Sequence, residues 1–180
     1  MKINDKLNLV TTVDSDLGTI YIHHTAIGYD VFKENFLALT KVHDAINSEG
    51  VALSGARVAY LMLDQTAKES DINIKPLVNE LKRLTNVIVP SATGNYEPIA
   101  FEVAITDGLI DELQHDEVMN AIVFFTCVLQ LQRGKQILKY TLSNMTARWG
   151  LLTTSLDCVA YLKQLPILTE TDNAGNAAAA

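Results

Sequence analysis

The sequence predicts a mainly α-helical protein, a helical bundle with an N-terminal β-hairpin. Three observations predict this fold: β-type residues alternate near the N-terminus, apolar residues then recur at helical spacing, and 48% of the 180 residues are hydrophobic. A chain of this length and composition can bury one sizeable core. We therefore predict a single globular domain at residues 1–168, with the hairpin at 7–24, helices at 29–165, and a flexible tail at 169–180 that has no large apolar side chain.

The hairpin is predicted from two short segments on either side of a turn. Leu7, Leu9, Thr11 and Val13 occupy alternate positions, "DSDLG" supplies turn residues, and "TIYIHH" is β-branched and aromatic. A two-stranded hairpin alone is marginally stable in water. It should therefore pack against the helices or against another subunit.

Three amphipathic helices are predicted after the hairpin. The first extends from Tyr29 to Ser48, with an inward-facing apolar stripe formed by Tyr29, Phe32, Phe36, Leu39 and Ile46. The segments "GARVAYLMLDQTAKES" and "IKPLVNELKRLTN" form the next two, the latter with a proline near its first turn. Three such helices in succession predict a bundle.

The pattern changes between Val87 and Tyr96, where "VPSATGNY" predicts a loop, followed by a short helix at residues 98–106. From Val118 to Leu131 nearly every residue is apolar, so this helix should be central in the fold or should cover a partner surface.

Two more helices are predicted before the tail. The first has Leu138, Leu142, Met145 and Trp149 on one face, and the second is the short "SLDCVAYLKQL", with Ser155 as its N-cap. Trp149 is the only tryptophan, and it is either a core anchor or a binding hot spot.

The composition excludes several classes of protein. With 21 acidic against 14 basic residues and a net charge of −7, the chain is not expected to bind nucleic acid. The longest apolar run, "AIVFFTCVLQL", is about half of what a bilayer crossing needs, and the N-terminus has no signal-peptide pattern. Cys127 and Cys158 lie in apolar helical patterns, which predicts buried free thiols and a reducing compartment.

The sequence predicts no catalytic, cofactor-binding or metal-binding site. His23 and His24 are adjacent on a predicted strand and point to opposite faces, so they cannot bind one metal ion together. No phosphate-binding glycine loop or nucleophile elbow is present. We therefore expect a binding protein rather than an enzyme; the alternative is a small hydrolase that uses His23 or His43 with a carboxylate.

Several segments in order resemble the tail assembly chaperones of long-tailed, siphovirus-like bacteriophages. They are "TIYIHHTAIGYDVFKENFLAL", "SGARVAYLML", "ELKRLTNVIVP", "NAIVFFTC" and "ARWGLLTTSLDCVAYLKQLPILTETDNAG", and the resemblance extends from about Gly18 to Gly175. The resemblance lies in the residue patterns of these segments and in their order along the chain. None of the segments contains a catalytic or ligand-binding motif.

The resemblance implies a function. Proteins of that family are not enzymes; they bind the tape measure protein, a long helical chain, and promote assembly of the tail tube protein around it. They act in the host cell cytoplasm and are generally absent from the mature virion. Many have a longer product made by ribosomal frameshifting, for which a tail such as residues 169–180 is a suitable flexible junction. Self-association into homo-oligomers is a further expectation.

The resemblance also directs attention to apolar surface that can receive amphipathic helices. The candidate partner-binding residues lie on the apolar helix and near the C-terminus, and they are Val118, Ile122, Phe125, Leu129, Leu165, Ile167 and Leu168. Core packing is the alternative for the helix. The alternative function is that of a structural virion protein, a tail completion or connector component that oligomerises through the free edge of the hairpin.

Overall fold

The computed structural model describes residues 7–15, 18–48, 55–91, 95–131 and 135–166. The strands found in these residues are β1 (Asn8–Ser15), β2 (Gly18–Thr25), β3 (Thr85–Pro90), β4 (Tyr96–Ala100) and β5 (Leu152–Thr154). They form one antiparallel sheet in the order β4-β3-β2-β1-β5. The predicted hairpin is confirmed, and it lies at the centre of this sheet.

The predicted fold class, a mainly α-helical bundle, is wrong, because the chain has a five-stranded antiparallel sheet. A hairpin alone leaves two unpaired edges, and here β3 pairs with β2 while β5 pairs with β1. The region predicted as a loop after Val87 contains most of β3 and the start of β4. Its segment "TNVIVP" is rich in β-branched residues, which favour a strand. Pro90 and Pro98 argue against strands, because proline cannot donate a hydrogen bond to a neighbouring strand.

The helices of the described residues are α1 (Tyr29–Glu34), α2 (Phe36–Ser48), α3 (Gly55–Ser70), α4 (Lys75–Arg83), α5 (Phe101–Thr106), α6 (Glu112–Leu131), α7 (Lys135–Trp149) and α8 (Cys158–Leu162). The single helix predicted from residue 29 to 48 is therefore divided in two. Asn35 separates α1 from α2, and its side-chain amide donates a 2.8 Å hydrogen bond to the carbonyl of Val31. This local bond competes with a continuous helix.

The sheet has two chemically different faces because side chains alternate along each strand. We call inner the face that packs against the main helices; its core residues are Leu9, Val13, Ile20, Ile22, Val87 and Val89. The outer face carries a separate set that includes Val10, Tyr21, His23, Ile88 and Tyr96. His24 belongs to the inner face and His23 to the outer face, as the sequence predicts for neighbours on a strand.

The inner face lies under a helical layer in which α6 is central. This helix packs against α2, α3, α7 and β1, and its buried residues occur all around its circumference from Val118 to Val128. The first residue of α3, Gly55, lies close to both neighbours: a Cβ there would be 2.8 Å from Cγ2 of Ile46 and 2.9 Å from Cε2 of Phe124. Glycine therefore allows α3 to approach α2 and α6.

The outer face is covered by residues 155–166, which we call the C-terminal cover. The cover includes α8, which has no buried residue. Its main anchor is the carbonyl of Leu156, which accepts hydrogen bonds from Asn8 Nδ2 at 2.7 Å and from His23 Nε2 at 3.0 Å. Asp157, not the predicted Ser155, is the N-cap of α8, and its carboxylate accepts a 2.8 Å bond from the amide of Ala160.

Candidate functional site

A groove of about 260 Å³ lies among three helices on the side of the helical layer formed by α2, α6 and α7. Its apolar residues are buried or half-buried parts of the core, while its polar residues lie around the opening. The lining residues are His43, Ile46 and Asn47 of α2, Phe124, Cys127 and Val128 of α6, and Tyr140, Thr141, Asn144, Arg148 and Trp149 of α7. The groove thus has an apolar floor, a polar rim and helical walls.

Helix α7 supplies most of the rim. Tyr140, Asn144 and Arg148 are spaced by fours and therefore lie on one face of the helix. Tyr140 is 70% exposed, which is unusual for so large a ring beside an apolar floor. Two other residues hold α7 in place: Met145 is fully buried, and the ring of Trp149 lies edge-on to that of Phe124 at 5.1 Å.

The charge around the groove differs from that of the whole chain. Its ionisable lining residues are His43, Cys127, Tyr140 and Arg148, and none of the described lining residues is a carboxylate. Helix α7 has three basic residues and no acidic residue in its sequence, whereas the chain as a whole carries a net charge of −7. On α2, the acidic residue next to His43 in the sequence is Asp44. It is exposed, and its Oδ1 lies 3.6 Å from Nδ1 of His43. Of the basic residues of α7, Arg148 lines the groove, so the α7 side of the opening carries a cation and no carboxylate.

The thiol on the groove floor is buried, and its burial favours the protonated form. Burial raises the pKa of Cys127 to about 12 and its Sγ donates to the carbonyl of Leu39 at 3.6 Å. A thiol with such a pKa stays protonated at neutral pH. Cys127 therefore contributes apolar surface to the groove, as the sequence predicts for a buried free cysteine.

The predicted partner-binding residues of α6 lie on the core side of that helix. Val118, Ile122 and Phe125 are fully buried, and Leu129 is half-buried against the same core. The groove is lined instead by Phe124, Cys127 and Val128, which occupy another face of α6. Val118, Ile122 and Phe125 are therefore not accessible to a partner in this conformation, whereas Leu129 is accessible in part. Direct contact with a partner therefore stays a prediction for them.

The C-terminal candidates lie elsewhere. Leu165 is half-buried in the C-terminal cover, on the outer side of the sheet, and its amide donates to the carbonyl of Leu162 at 3.2 Å. Ile167 and Leu168, like the predicted tail at 169–180, lie outside the described residues. The structure thus places Leu165 on a different side of the sheet from the helix candidates, so these residues do not form one surface.

An aromatic ladder formed by Tyr29, Phe32 and Phe36 provides a second apolar surface. The rings lie 6.4 Å and 5.8 Å apart along the ladder. The sequence predicts all three as inward-facing, but only Phe32 is buried, while Tyr29 is 64% and Phe36 is 50% exposed. Tyr29 is the first residue of α1 and Phe36 is the first residue of α2, so both exposed rings lie at the start of a helix. Phe36 lies seven residues before His43, so it shares a face of α2 with the groove wall.

The adjacent histidines of β2 are structural groups. Thr85 Oγ1 donates its hydrogen to the carbonyl of Leu81 at 2.7 Å, so in its 2.9 Å contact with His24 Nδ1 it must accept. His24 therefore carries a hydrogen on Nδ1, and its Nε2 is buried without a partner. Burial, with a smaller contribution from His23, lowers the pKa of His24 to about 3 against the weaker opposing effect of the Leu81 carbonyl.

The described residues show neither a metal-binding cluster nor a membrane-spanning helix. The part of the chain that the structure describes contains no group of three or more His, Cys, Asp or Glu side chains arranged to hold a metal ion. None of its helices is long and apolar enough to cross a membrane. No protein-family profile, curated protein or solved structure matches the chain.

Proposed function

We propose that this chain is a tail assembly chaperone of a long-tailed bacteriophage. In this proposal it binds the tape measure protein in the host cell cytoplasm, keeps that long helical chain soluble, and promotes assembly of the tail tube protein around it. It performs no chemistry on its client and leaves before the virion is complete. The mechanism is reversible burial of apolar client surface.

The groove between α2, α6 and α7 is the observation that carries the proposal. An apolar floor between helical walls, with an exposed tyrosine at the opening, fits the large side chains that an amphipathic helix presents at intervals of three and four residues. A long helical client offers many such side chains. The exposed ring of Phe36 adds apolar surface on the face of α2 that it shares with His43.

The sequence resemblance supports the same function independently of the groove. Two of the segments that resemble the family, "NAIVFFTC" and "ARWGLLTTSLDC", contribute Phe124, Cys127, Arg148 and Trp149 to the groove lining. The segments in which the chain resembles tail assembly chaperones therefore include residues that line its helix-compatible surface.

Co-expression tests the proposal. The chain is produced together with the longest open reading frame of the same genome that has a continuous helical pattern, and the soluble fraction of that client is measured with pull-down on a tag. We expect capture of the client and a several-fold larger soluble fraction than with an unrelated acidic protein of similar size. Equal solubility with both proteins, together with no capture, would contradict the proposal.

Purified particles test the alternative, a tail completion or connector component. A chaperone should be absent from them, whereas a connector should be present in the copy number of a ring. Quantitative mass spectrometry of purified virions measures this number. A ring-sized copy number would replace the chaperone with a structural virion protein.

A further inference from the structure

We propose that the groove selects amphipathic helices whose apolar stripe is flanked by acidic residues, and that Tyr140, Arg148 and Trp149 hold such a helix. This inference rests on the proposed function for the identity of the natural client, and it adds the chemistry by which the client segment is recognised. The partner class is thus a helix with large apolar side chains along one side and carboxylates beside them.

The size of the groove limits how the helix binds. A volume of about 260 Å³ accepts one or two large side chains, whereas a whole helix is roughly 10–12 Å across. The partner helix therefore lies over the opening and inserts apolar side chains between α2 and α7. Phe124, Cys127 and Val128 form the surface that those side chains meet.

The charge of the rim determines which flanking residues fit. Arg148 is exposed and forms no salt bridge with any described residue. The absence of acidic residues from α7 means that no neighbour on that helix neutralises its charge. A carboxylate next to the inserted side chain can reach Arg148, whereas a lysine there is repelled.

The residue types at the opening are those that contribute most to binding at protein interfaces. Tryptophan, tyrosine and arginine are enriched among interface hot spots. Here one of each lies on α7 at a single groove, and Trp149 and Tyr140 flank the position of Arg148. Trp149 is half-buried against Phe124, so its ring is already fixed before a partner arrives.

Two designed peptides test the inference without knowledge of the client. Both are helices of about 20 residues with one stripe of leucine and phenylalanine, flanked by glutamate in the first and by lysine in the second. Fluorescence anisotropy at low salt measures their binding to the whole chain. We expect the glutamate peptide to bind at least about 5-fold more tightly, with a preference that weakens as salt is added.

The net charge of the chain allows the two peptides to distinguish specific from non-specific binding. A protein of net charge −7 attracts the lysine peptide by its overall field, so non-specific binding predicts the opposite preference. We expect Arg148→Glu to remove the preference for the glutamate peptide. We expect Tyr140→Ala to lower the affinity for both peptides by about 10-fold. Both residues are exposed, so circular dichroism and thermal unfolding should show that these variants fold.

Arg57→Glu is the matched control, because Arg57 is an exposed arginine on α3 that does not line the groove. It makes the same change in net charge as Arg148→Glu and should leave the glutamate preference intact. Equal binding of the two peptides, binding of neither, or an equal effect of the two arginine substitutions would each overturn the inference.

The outcome also separates this inference from the proposed function. If the wild-type chain solubilises the tape-measure-like client and the Arg148→Glu and Tyr140→Ala variants do so equally well, the chaperone function stands and the groove is the wrong site. If the peptides bind as expected but the client is not captured, the groove chemistry is right and the client is a different protein.

Discussion

The two faces of the sheet differ in how they are covered, and neighbouring histidines show the difference. On the inner face His24 is sealed under α6, with its ring edge-on to Phe125 at 6.2 Å. On the outer face His23 donates to the Leu156 carbonyl and lies 5.9 Å from the ring of Tyr161. The inner cover is a long helix with buried residues all around it, whereas the outer cover is a short segment whose helix α8 has none.

Equal burial of two side chains therefore does not mean that the segments covering them are equally stable. Both histidines are inaccessible to solvent, yet the inner one is held by packing with several helices and the outer one by a few hydrogen bonds and ring contacts. Segments that contribute few buried apolar side chains open locally at lower free-energy cost. The C-terminal cover should therefore open without unfolding of the helical layer.

The largest expected effect comes from the inner side. Replacement of Phe125, whose side chain is 0% exposed, by alanine should lower the free energy of unfolding by about 3–5 kcal/mol, because a large cavity opens under α6. Urea unfolding followed by circular dichroism measures the change. Leu113→Ala is the control, since Leu113 is 82% exposed and should lose less than about 0.5 kcal/mol. Similar losses for the two variants would contradict the central role of α6.

The next effect is a pH dependence that belongs to the inner face. The folded state holds the pKa of His24 at about 3, below its ordinary value of 6.5. At pH values between about 3 and 6.5 the unfolded chain binds a proton at His24 and the folded chain does not. The contribution of His24 to the free energy of unfolding is therefore fully present above pH 6.5 and is lost as the pH falls toward 3. One such group gives a slope of at most about 1.4 kcal/mol per pH unit.

His24→Leu isolates this contribution. The variant loses the hydrogen bond to Thr85, so it should be less stable at neutral pH, but its unfolding free energy should depend less steeply on pH between about 6 and about 4. Unfolding curves of both proteins at several pH values give the two slopes. The prediction is wrong if the slopes are the same.

A close approach within the helical layer predicts a smaller loss. Gly55→Ala places a methyl group against Ile46 and Phe124, and the neighbouring helices must shift, at a cost of about 1–3 kcal/mol. Gly28→Ala is the control, because nothing lies within 4 Å of its Cβ position and its φ of −67° suits alanine. Thermal unfolding of the two variants measures the difference in their stability. Equal stability of the two variants would contradict the prediction and would show that α3 can move away from α2 and α6 without cost.

The smallest effect concerns the outer face. Asn8→Ala removes one of the two side-chain donors to the Leu156 carbonyl and should weaken the C-terminal cover by about 1 kcal/mol. Hydrogen exchange at the amides of Tyr161 and Lys163, which bond to Asp157 and Val159, should become faster while exchange in α6 stays the same. Asn35→Ala also removes a bond from asparagine to a main-chain carbonyl and should not affect the cover. Faster exchange throughout α6 in Asn8→Ala would show that the two faces unfold together.

The candidate site was predictable only in part. The sequence predicts that the helix ending at Leu131 is central or covers a partner, and the structure places it at the centre of the helical layer. Its buried residues include the predicted partner contacts Val118, Ile122 and Phe125, because the apolar character of the helix does not reveal which face a neighbouring helix leaves open. Tyr140, Asn144 and Arg148 did give a signal, their spacing by fours on an acid-free helix, but the sequence does not show that the apolar floor lies beside them.

Local sequence patterns were sufficient to predict some elements of this protein, but not β3, β4 or the division between α1 and α2. The hairpin follows from alternation on either side of a turn, and the opposite orientations of His23 and His24 follow from the geometry of a strand. Helix α3 spans the segment that the sequence predicts for it. Each of these depends on residues a few positions apart, so the information is contained within the segment.

The tertiary structure alone decided how these elements combine. The strands β3 and β5 pair with a hairpin from which they are separated by dozens of residues, and the groove joins Ile46, Phe124 and Arg148 from three separate helices. Such contacts are selected by the competition among all apolar surfaces for burial and among unpaired strand edges for hydrogen bonds. That competition involves the whole chain at once, and for this reason the periodicity of one segment cannot predict its outcome.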